Sequence, residues 1–358
     1  MRPSIPKTIS SWLLSDCVFR LSDYDYELPR ELIAQKPAEP RDSSRLLVLD
    51  LVEDAISEAV FRDLPKFLRR GDVLVLNRSR VIKAALEGRK TTGGRVRILL
   101  VRPSGGWRRW LGIVSAKRPR EGMEIVLPFG RATLLKRIKE GRFLIEFDRN
   151  VDYALLERVG RMPLPPYIRE YRGPEDRYRT VFGDIPGSVA APTASLHFTE
   201  SLLRSLGEMG VEVVYLVLHV GPGTFMPVRT EDIREHRMEE EPYEIPVETA
   251  NAVNDALDEG RRVIPVGTTV MRALESSASG GKVRPGSGMA DVYIYPGYEF
   301  RLDYGGFITN FHLPRSTPLL LVSAFAGRDK ILRAYKYAIQ RKFRFFSFGD
   351  SMLIIKKK

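Results

Sequence analysis

Apolar residues fall in two rhythms along this chain, and the switch between them divides it. Residues 46–51 are an apolar run of strand length. Residues 61–68 have helical spacing, and 72–76 form a second buried strand ending at Asn77. From about Ser79 to Glu157 the pattern becomes a series of short β-type runs (95–101, 110–114, 124–127, 132–138 and 142–147) with tight connections, Lys139-Glu140-Gly141 being one hairpin turn. Many short strands with turn signals predict a small β-barrel or sandwich. The αβ rhythm then resumes. Helices are predicted over 200–209, 247–259, 271–277, 318–325 and 329–341, and strands over 211–217, 262–266, 291–295 and 351–355. Gly210 and Gly260 stand where helix C-caps belong. The expected fold is therefore a three-layer α/β domain (residues 21–78 and 158–358) interrupted by an inserted small β-barrel domain (79–157), with residues 1–20 as an N-terminal tail.

Composition narrows the class. With 358 residues, 43% hydrophobic and 28% charged, the chain reads as globular, and is long enough for two domains or one domain carrying an insert. The net charge of +12 favours a polyanionic partner, nucleic acid first and anionic membrane second; the alternative is that excess arginine serves solubility. Cys17 is the only cysteine, which leaves no intrachain disulfide and points to a reducing cytoplasm. No apolar run approaches the ~18 residues of a membrane span. Leu14-Ser15-Asp16-Cys17 resembles a lipoprotein cleavage site, but Asp16 and the short apolar run before it argue against processing. Residues 1–17 read either as a loose tail or as an over-called start.

Three segments bring unlike polar chemistries together: 191–199 (Ala-Pro-Thr-Ala-Ser-Leu-His-Phe-Thr), 218–225 (Leu-His-Val-Gly-Pro-Gly-Thr-Phe) and 308–317 (Ile-Thr-Asn-Phe-His-Leu-Pro-Arg-Ser-Thr). Three of the four histidines, His197, His219 and His312, lie in them. A core does not need that combination repeated, whereas a polar pocket does. Imidazole near neutral pH suits acid–base work or hydrogen bonding to a substrate. Zinc is the competing reading, but none of the three has a partner at the short spacing of helix-borne metal sites, so no metal is expected. Gly267-Thr268-Thr269 sits at a predicted strand end before a helix carrying Arg272 and Glu275, which suits an anionic group, a helix cap, or both. Arg41 and Arg45 flank Asp42 before the first strand, and prolines present Arg161 and Tyr167. Arg344 to Asp350 interleaves a cation with aromatics, as base-stacking surfaces and apolar strand edges both do. Signatures for phosphate-binding loops, dinucleotide folds, zinc proteases and serine-hydrolase elbows are missing.

Taken in order, these segments resemble the S-adenosylmethionine:tRNA ribosyltransferase-isomerase family of queuosine biosynthesis. The likeness starts near Leu21 with Asp25-Tyr26-Glu27-Leu28-Pro29. It continues through Pro40-Arg41-Asp42-Ser43-Ser44-Arg45, the Asn77/Arg80 pair, 161–168, the Ala-Pro-Thr and Leu-His-Val segments, and Gly267-Thr268-Thr269. Tyr295-Pro296-Gly297-Tyr298, 309–317 and 344–350 complete it. The resemblance implies an α/β domain with an inserted barrel, and a cytoplasmic enzyme expected to be monomeric. It implies that the ribosyl part of S-adenosylmethionine moves to the 7-aminomethyl-7-deazaguanine wobble base of tRNA, giving epoxyqueuosine with release of adenine and methionine. His197, His219 and His312 would then be the acid–base set. Arg41, Asp42, Arg45, Asn77, Arg80, Arg161, Thr193, Phe198, Gly221, Gly223, Thr224, Phe225, Thr268, Thr269, Arg272, Glu275, Asn310, Thr317, Arg344 and Asp350 would bind substrate.

The chain departs from that family's pattern in places. The usual His-x-Met-His-x-Glu stands here as His236-Arg237-Met238-Glu239-Glu240-Glu241, which sets His236 aside as catalytic and leaves Glu239 either functional or peripheral. Asn77-Arg78-Ser79 replaces Asn-Asp-Thr, Ser195 replaces a glycine, and Arg97 replaces an acid. Two other functions compete: a non-catalytic RNA-binding protein, and a metal-dependent hydrolase built on the histidines.

Overall fold

The computed structural model describes residues 19–139, 141–225 and 228–357, the side chains of Thr224 and Phe225 excepted. Cys17 and most of the tail, Glu140 of the expected hairpin turn, and Lys358 lie outside the described residues. Phe19 and Arg20 are already attached to the body, since Arg20 bridges to Asp232 and the Arg234 guanidinium lies over the Phe19 ring.

The chain opens with β1 (Arg45–Asp50), β2 (Ala55–Val60), β3 (Val73–Asn77) and β4 (Ser79–Val81). Six consecutive strands follow: β5 (Ala85–Lys90), β6 (Arg95–Pro103), β7 (Arg109–Ser115), β8 (Glu124–Leu127), β9 (Gly130–Lys139) and β10 (Arg142–Phe147). The return runs through α1 (Tyr153–Val159), β11 (Ile185–Ser188), α2 (Glu200–Glu208), β12 (Glu212–Leu218), β13 (Glu241–Ile245) and α3 (Val247–Asp258). Then come β14 (Val263–Pro265), α4 (Thr268–Ser277), β15 (Ala278–Ser279), β16 (Lys282–Val283) and β17 (Gly286–Ala290). The chain closes with β18 (Gly306–Asn310), α5 (Thr317–Ala326), α6 (Arg328–Gln340) and β19 (Ser351–Ile355).

β5 to β10 close into an antiparallel barrel in the order β10-β7-β6-β5-β8-β9. The burial of β6 and β7 alternates residue by residue, as a strand with one face inward requires. Inward residues, among them Trp110, Phe143, Ile145 and Phe147, form a core of their own. The α/β body is built on two sheets, β14-β3-β12-β13-β17 and β18-β19-β1-β2, joined where Val266 bridges Ile308 in parallel. Strand residues split between two cores. Leu47, Leu49, Val73 and Val75 face one side with α3, α4, α5 and α6, while Leu46, Val48, Leu74 and Leu76 face the other with α2 and Phe61. Helices on both faces make three layers, which is why β3 is buried along its whole length. α5 (Thr-Pro-Leu-Leu-Leu-Val-Ser-Ala-Phe-Ala) is apolar nearly all round and accordingly sits in the core.

Some elements differ from expectation. Residues 61–66 form a 3₁₀ helix with Pro65 inside it. The strand expected over 291–295 is irregular: Arg272 takes the Val292 and Ala290 carbonyls by hydrogen bonds of 3.2 and 2.7 Å, so those acceptors serve a side chain. α1 and the strands β2, β4, β5, β11, β13, β15, β16, β17 and β18 were not foreseen. No helix of the described residues is long and apolar enough to cross a membrane.

At the amino-terminal end of β3, Arg262 and Asp72 form a bidentate pair with both side chains almost fully buried (Nε–Oδ1 2.8 Å, Nη2–Oδ2 2.5 Å). Arg262 also donates to the carbonyls of Phe67 and Lys357, drawing the chain's end to the central strand. Arg262→Met is expected to strip buried Asp72 of its bidentate partner, leaving it the Arg69 N–H at 2.8 Å and the more distant Arg69 guanidinium at 3.7 Å, and to cost about 3–5 kcal/mol. Urea unfolding at neutral pH checks this, and a loss below about 1 kcal/mol would contradict it.

Candidate active site

Four parallel strands, β18, β14, β3 and β12, point their carboxyl ends to one edge of the body. The residues just past those ends are His312, Gly267-Thr268-Thr269, Ser79 and His219. Loops beyond the carboxyl ends of such strands are the usual ligand sites of open α/β sheets. Here they surround a cavity of about 680 Å3, counted to its open mouth, whose lining includes Thr193, Thr268, Thr269, Asn310, His312, Tyr167 and Phe346.

A buried amide holds this edge together. Asn77 Oδ1 accepts from the Leu218 and Ser79 backbone N–H groups (3.1 and 3.0 Å), and Nδ2 donates to the Leu218 carbonyl (2.9 Å) and toward Thr269 Oγ1 (3.4 Å). Asn77 has no exposed surface, so it positions the cavity walls rather than meeting a ligand.

The three histidines fall in three adjoining places. His312 lines the central cavity; Thr309 Oγ1 lies 2.8 Å from its Nε2, and Nδ1 has no partner among the described residues. Its backbone is gripped by Tyr335 and Tyr26. His219 opens into a second cavity of about 1420 Å3 between the α/β body and the barrel, which meets the first at Val220. Its Nδ1 lies 2.7 Å from Ser79 Oγ, Ser79 Oγ lies 2.6 Å from Ser188 Oγ, and Ser188 Oγ accepts from Val220 N–H. The assignment that satisfies each group runs Val220 N–H to Ser188, Ser188 O–H to Ser79, and Ser79 O–H to Nδ1, which leaves a proton on Nε2; the reversed tautomer, Nδ1–H to Ser79 and Ser79 O–H to Ser188, leaves Nε2 free to accept one. Gly187 lies against this ring: a Cβ there would sit 2.5 Å from the His219 Cε1. His197 is different. Its Nδ1 meets Ser44 Oγ at 2.7 Å, its Nε2 meets Asn310 Oδ1 at 3.3 Å, and it is stacked near Phe61 in the buried interior. Both ring nitrogens are engaged within the protein, so the expected three-histidine acid–base set does not assemble in one cavity. Burial pushes all three proton affinities down, His197 to about 4, His312 to about 3, and His219 also below its ordinary value.

Other candidates divide between cavity and scaffold. Gly221 lines the second cavity, and its N–H donates to Glu241 Oε1 at 2.7 Å. Arg272 holds Glu241 from the other side and gives three more donors to the Glu239, Ala290 and Val292 carbonyls, so four of its five N–H groups and its charge are spent within the protein. Gly223 lies against Glu239. Arg45 pairs with Glu58 and covers the Phe343 ring, while Arg344 is bound to Asp350. Asp350 also accepts from the Arg45 and Arg344 N–H groups, and Asp42 takes the Thr199 hydroxyl. Phe198 packs on Phe61 in the core, and Glu275 accepts from Tyr298, Tyr304 and the Arg301 N–H away from the cavities. Those residues were expected to bind substrate; geometry spends them on the fold. Arg41 lines a small recess beside His197, Thr317 lines a recess next to Thr269, and Arg161 lies on a groove of the barrel. Arg80 keeps a buried Nε with no acceptor among the described residues. The side chains of Thr224 and Phe225 lie outside the described residues.

Two wall residues were noted in the sequence but not counted among the site residues. Tyr167, hydrogen-bonded to Ser347 at 2.7 Å, and Phe346, whose ring lies 5.0 Å from it, form an aromatic wall of the central cavity. Phe346 has φ of +70°, a strained conformation for a bulky residue and a signal visible only in coordinates. Glu239, standing where the resembled pattern has histidine, pairs with Lys139 (2.7 Å) and Arg142 (2.5 Å) of the barrel, tying the two parts together across the second cavity.

Comparison with known proteins agrees along almost the whole length. A family profile described as queuosine biosynthesis protein matches residues 21–354. The S-adenosylmethionine:tRNA ribosyltransferase-isomerase of Carboxydothermus hydrogenoformans is 50% identical over 339 residues, covering 94% of this chain and 100% of the relative. That of Geotalea uraniireducens is 49% identical over 344 residues, covering 94% and 99%. A crystal structure of S-adenosylmethionine tRNA ribosyltransferase from Thermotoga maritima, at 36% identity, covers 93% of this chain and 100% of that one with a TM-score of 0.54.

The histidines make the fold acid-sensitive in a definite window. Their folded proton affinities lie below the unfolded value near 6.5, so the unfolded chain takes up protons first and stability falls as pH drops from about 6.5 toward 4. Between pH 7 and 5 His197 and His312 should each contribute a loss on the order of 2 kcal/mol. His197→Gln removes one such term, so its urea midpoint should fall less over that interval than the unsubstituted protein's. Equal falls would show that His197 is not held neutral.

Proposed function

This chain belongs to the queuosine biosynthesis protein family, the S-adenosylmethionine:tRNA ribosyltransferase-isomerases, and from that premise we propose the reaction and the residues that carry it. S-adenosylmethionine is the ribosyl donor, the 7-aminomethyl-7-deazaguanine wobble base of tRNA is the acceptor, and the products are epoxyqueuosine-tRNA, adenine and methionine. The observation that carries the reading is the meeting of four strand ends around one cavity, with a second cavity adjoining it at Val220. One can seat the sulfonium nucleoside and the other the extruded base.

The sulfonium acidifies the ribose 5′ protons, so a base that removes one can start the loss of adenine, and the substrate amine must attack in its neutral form. His219 is the proton-transfer group: its ring lines the second cavity, and in the tautomer where Nδ1–H donates to Ser79 Oγ and Ser79 O–H to Ser188 Oγ, Nε2 is free to accept the ribose proton. His312, whose proton affinity burial pushes down to about 3, stays neutral at pH 7 and acts as a hydrogen-bonding and positioning group. Tyr167 and Phe346 supply faces for stacking a base. Burial of this kind keeps out water that would intercept a reactive intermediate. His197 positions Asn310 and Ser44 and takes no proton in turnover.

Residues 79–157 are taken as an inserted domain that engages the RNA. Its groove is lined by Arg89, Arg95, Arg97 and Arg161 against one acid, Glu87, which fits a phosphate backbone. A wobble base lies in a single-stranded loop and can be splayed out more cheaply than from a duplex.

Adenine release from S-adenosylmethionine, followed with tRNA carrying the aminomethyl base, tests the assignment. His219→Ala is expected to lower turnover by about 10²–10⁴-fold with the fold intact. His197→Gln, assayed at pH 7.5 below its unfolding temperature, should stay within about tenfold of the unsubstituted enzyme. The reverse ranking would overturn the division of roles, and no adenine release under any condition would overturn the reaction. Affinity for tRNA should fall with salt by roughly 0.7 log unit per log salt for each phosphate neutralised.

A further inference from the structure

The central cavity continues into a recess that the histidine chemistry does not use, lined by Thr268, Thr269, Thr317, Pro318 and Tyr293 among others. We infer that this recess is a carboxylate-binding subsite, built by the converging amino-terminal ends of α4 and α5, that takes the amino-acid carboxylate of the sulfonium substrate. The inference rests on the function proposed above and adds to it the place of one charged group.

Both helices are ten residues long, and the first turn of each lines the recess and the central cavity together. Neither has a side chain capping its first N–H groups, and neither has an acidic residue in its first turn. The contrast within the molecule is direct: α2 is capped by Thr199, and α2, α3 and α6 each carry an acid at that place. Uncapped first-turn amides and the positive ends of two helix dipoles therefore face one small volume, an arrangement that favours an oxyanion.

The side chains there point independently to a ligand. Thr317 is only 9% exposed, lines the recess, and has no hydrogen-bond partner among the described residues. The Tyr293 hydroxyl is sealed from bulk solvent and equally unpartnered, and burial raises its pKa, so it remains a donor. Thr269 receives the Asn77 amide at 3.4 Å, which leaves its own proton without an acceptor. Buried hydroxyls left open together are costly unless something accepts from them. Among the described residues the one guanidinium lining the recess, Arg272, is paired with Glu241, so the attraction comes from amides and hydroxyls rather than a salt bridge. A carboxylate held this way would keep the sulfonium in the central cavity at a fixed reach.

Calorimetry with S-adenosylmethionine and with its decarboxylated analogue, each with and without substrate tRNA, tests the subsite. Removal of the carboxylate should weaken binding by about 10- to 100-fold. Thr317→Val should weaken S-adenosylmethionine by about 5- to 10-fold and leave the decarboxylated analogue unchanged, while Thr317→Ser restores the affinity. Thermal unfolding of the variants should match that of the unsubstituted protein, since valine is isosteric with threonine. Equal affinity for the two ligands, or an equal loss for both in Thr317→Val, overturns the subsite while leaving the proposed reaction standing. If Thr317→Val instead weakens tRNA and spares the sulfonium, the oxyanion is a phosphate and the carboxylate assignment fails. If S-adenosylmethionine does not bind at all, the reaction falls with it.

Discussion

The site depends on one buried amide. Asn77 ends the central strand, has no solvent to turn to, and spends both its oxygen and its nitrogen on the neighbouring strand end, the following turn and the first turn of α4. A buried amide stripped of these partners would cost about 1–3 kcal/mol for each group left open. The same bonds set the spacing of three loops that bear chemistry: Ser79 under His219, the Leu218–His219 segment itself, and Thr269 at the cavity wall. The cavity is thus a consequence of how one strand terminates, and its walls are registered by the sheet rather than by loops finding each other.

Around that fixed edge the protein keeps its polar groups uncharged. The two histidines that face cavities are depressed by burial, the relay beneath His219 is made of hydroxyls, and the converging helix ends carry dipoles rather than side-chain charge. Several charges near the site are used up on one another, Arg272 with Glu241 and Glu239 with Lys139 and Arg142; Arg102 and Arg237 line the second cavity, and among the described residues no Asp, Glu, Lys or Arg lines the central one. A sulfonium is itself a cation, and a pocket free of competing cations avoids repelling it. Preorganised positioning in such a place can contribute about 7–11 kcal/mol to a barrier. The Glu239 pairs also show how the barrel is held to the body at the second cavity.

Strongly periodic elements were legible in the chain. The barrel strands alternate, β3 and β1 are unbroken apolar runs, and α2, α3 and α6 have helical spacing, because each pattern is imposed by a local geometry. β13 and β18 escaped notice. β13 is five residues containing a proline, and β18 contributes five residues whose partners lie at the far end of the chain. The residues around 291–295 look like a strand by composition, yet the Val292 carbonyl is claimed by Arg272, twenty positions away. Among the site candidates, the loops carrying His219, His312 and the Thr268-Thr269 pair were readable as chemistry-bearing. His197 and His312 have nearly the same local sequence character, and nothing in it separates a scaffold imidazole from one that faces a cavity.

By itself the chain determined its fold class, its division into an α/β rhythm and a β-rich stretch, its positive charge, and the loops where unlike polar residues collect, since all of these follow from local periodicity and composition. Tertiary structure alone decided which polar side chains are free. Arg45, Arg272, Arg344, Asp350 and Glu275 find partners distant in the chain or hidden by packing, and Thr317 finds none among the described residues. Whether a donor is spent or available depends on what the folded chain places within about 3 Å of it. That distance is set by strand order and helix packing, to which a residue's neighbours in sequence contribute little.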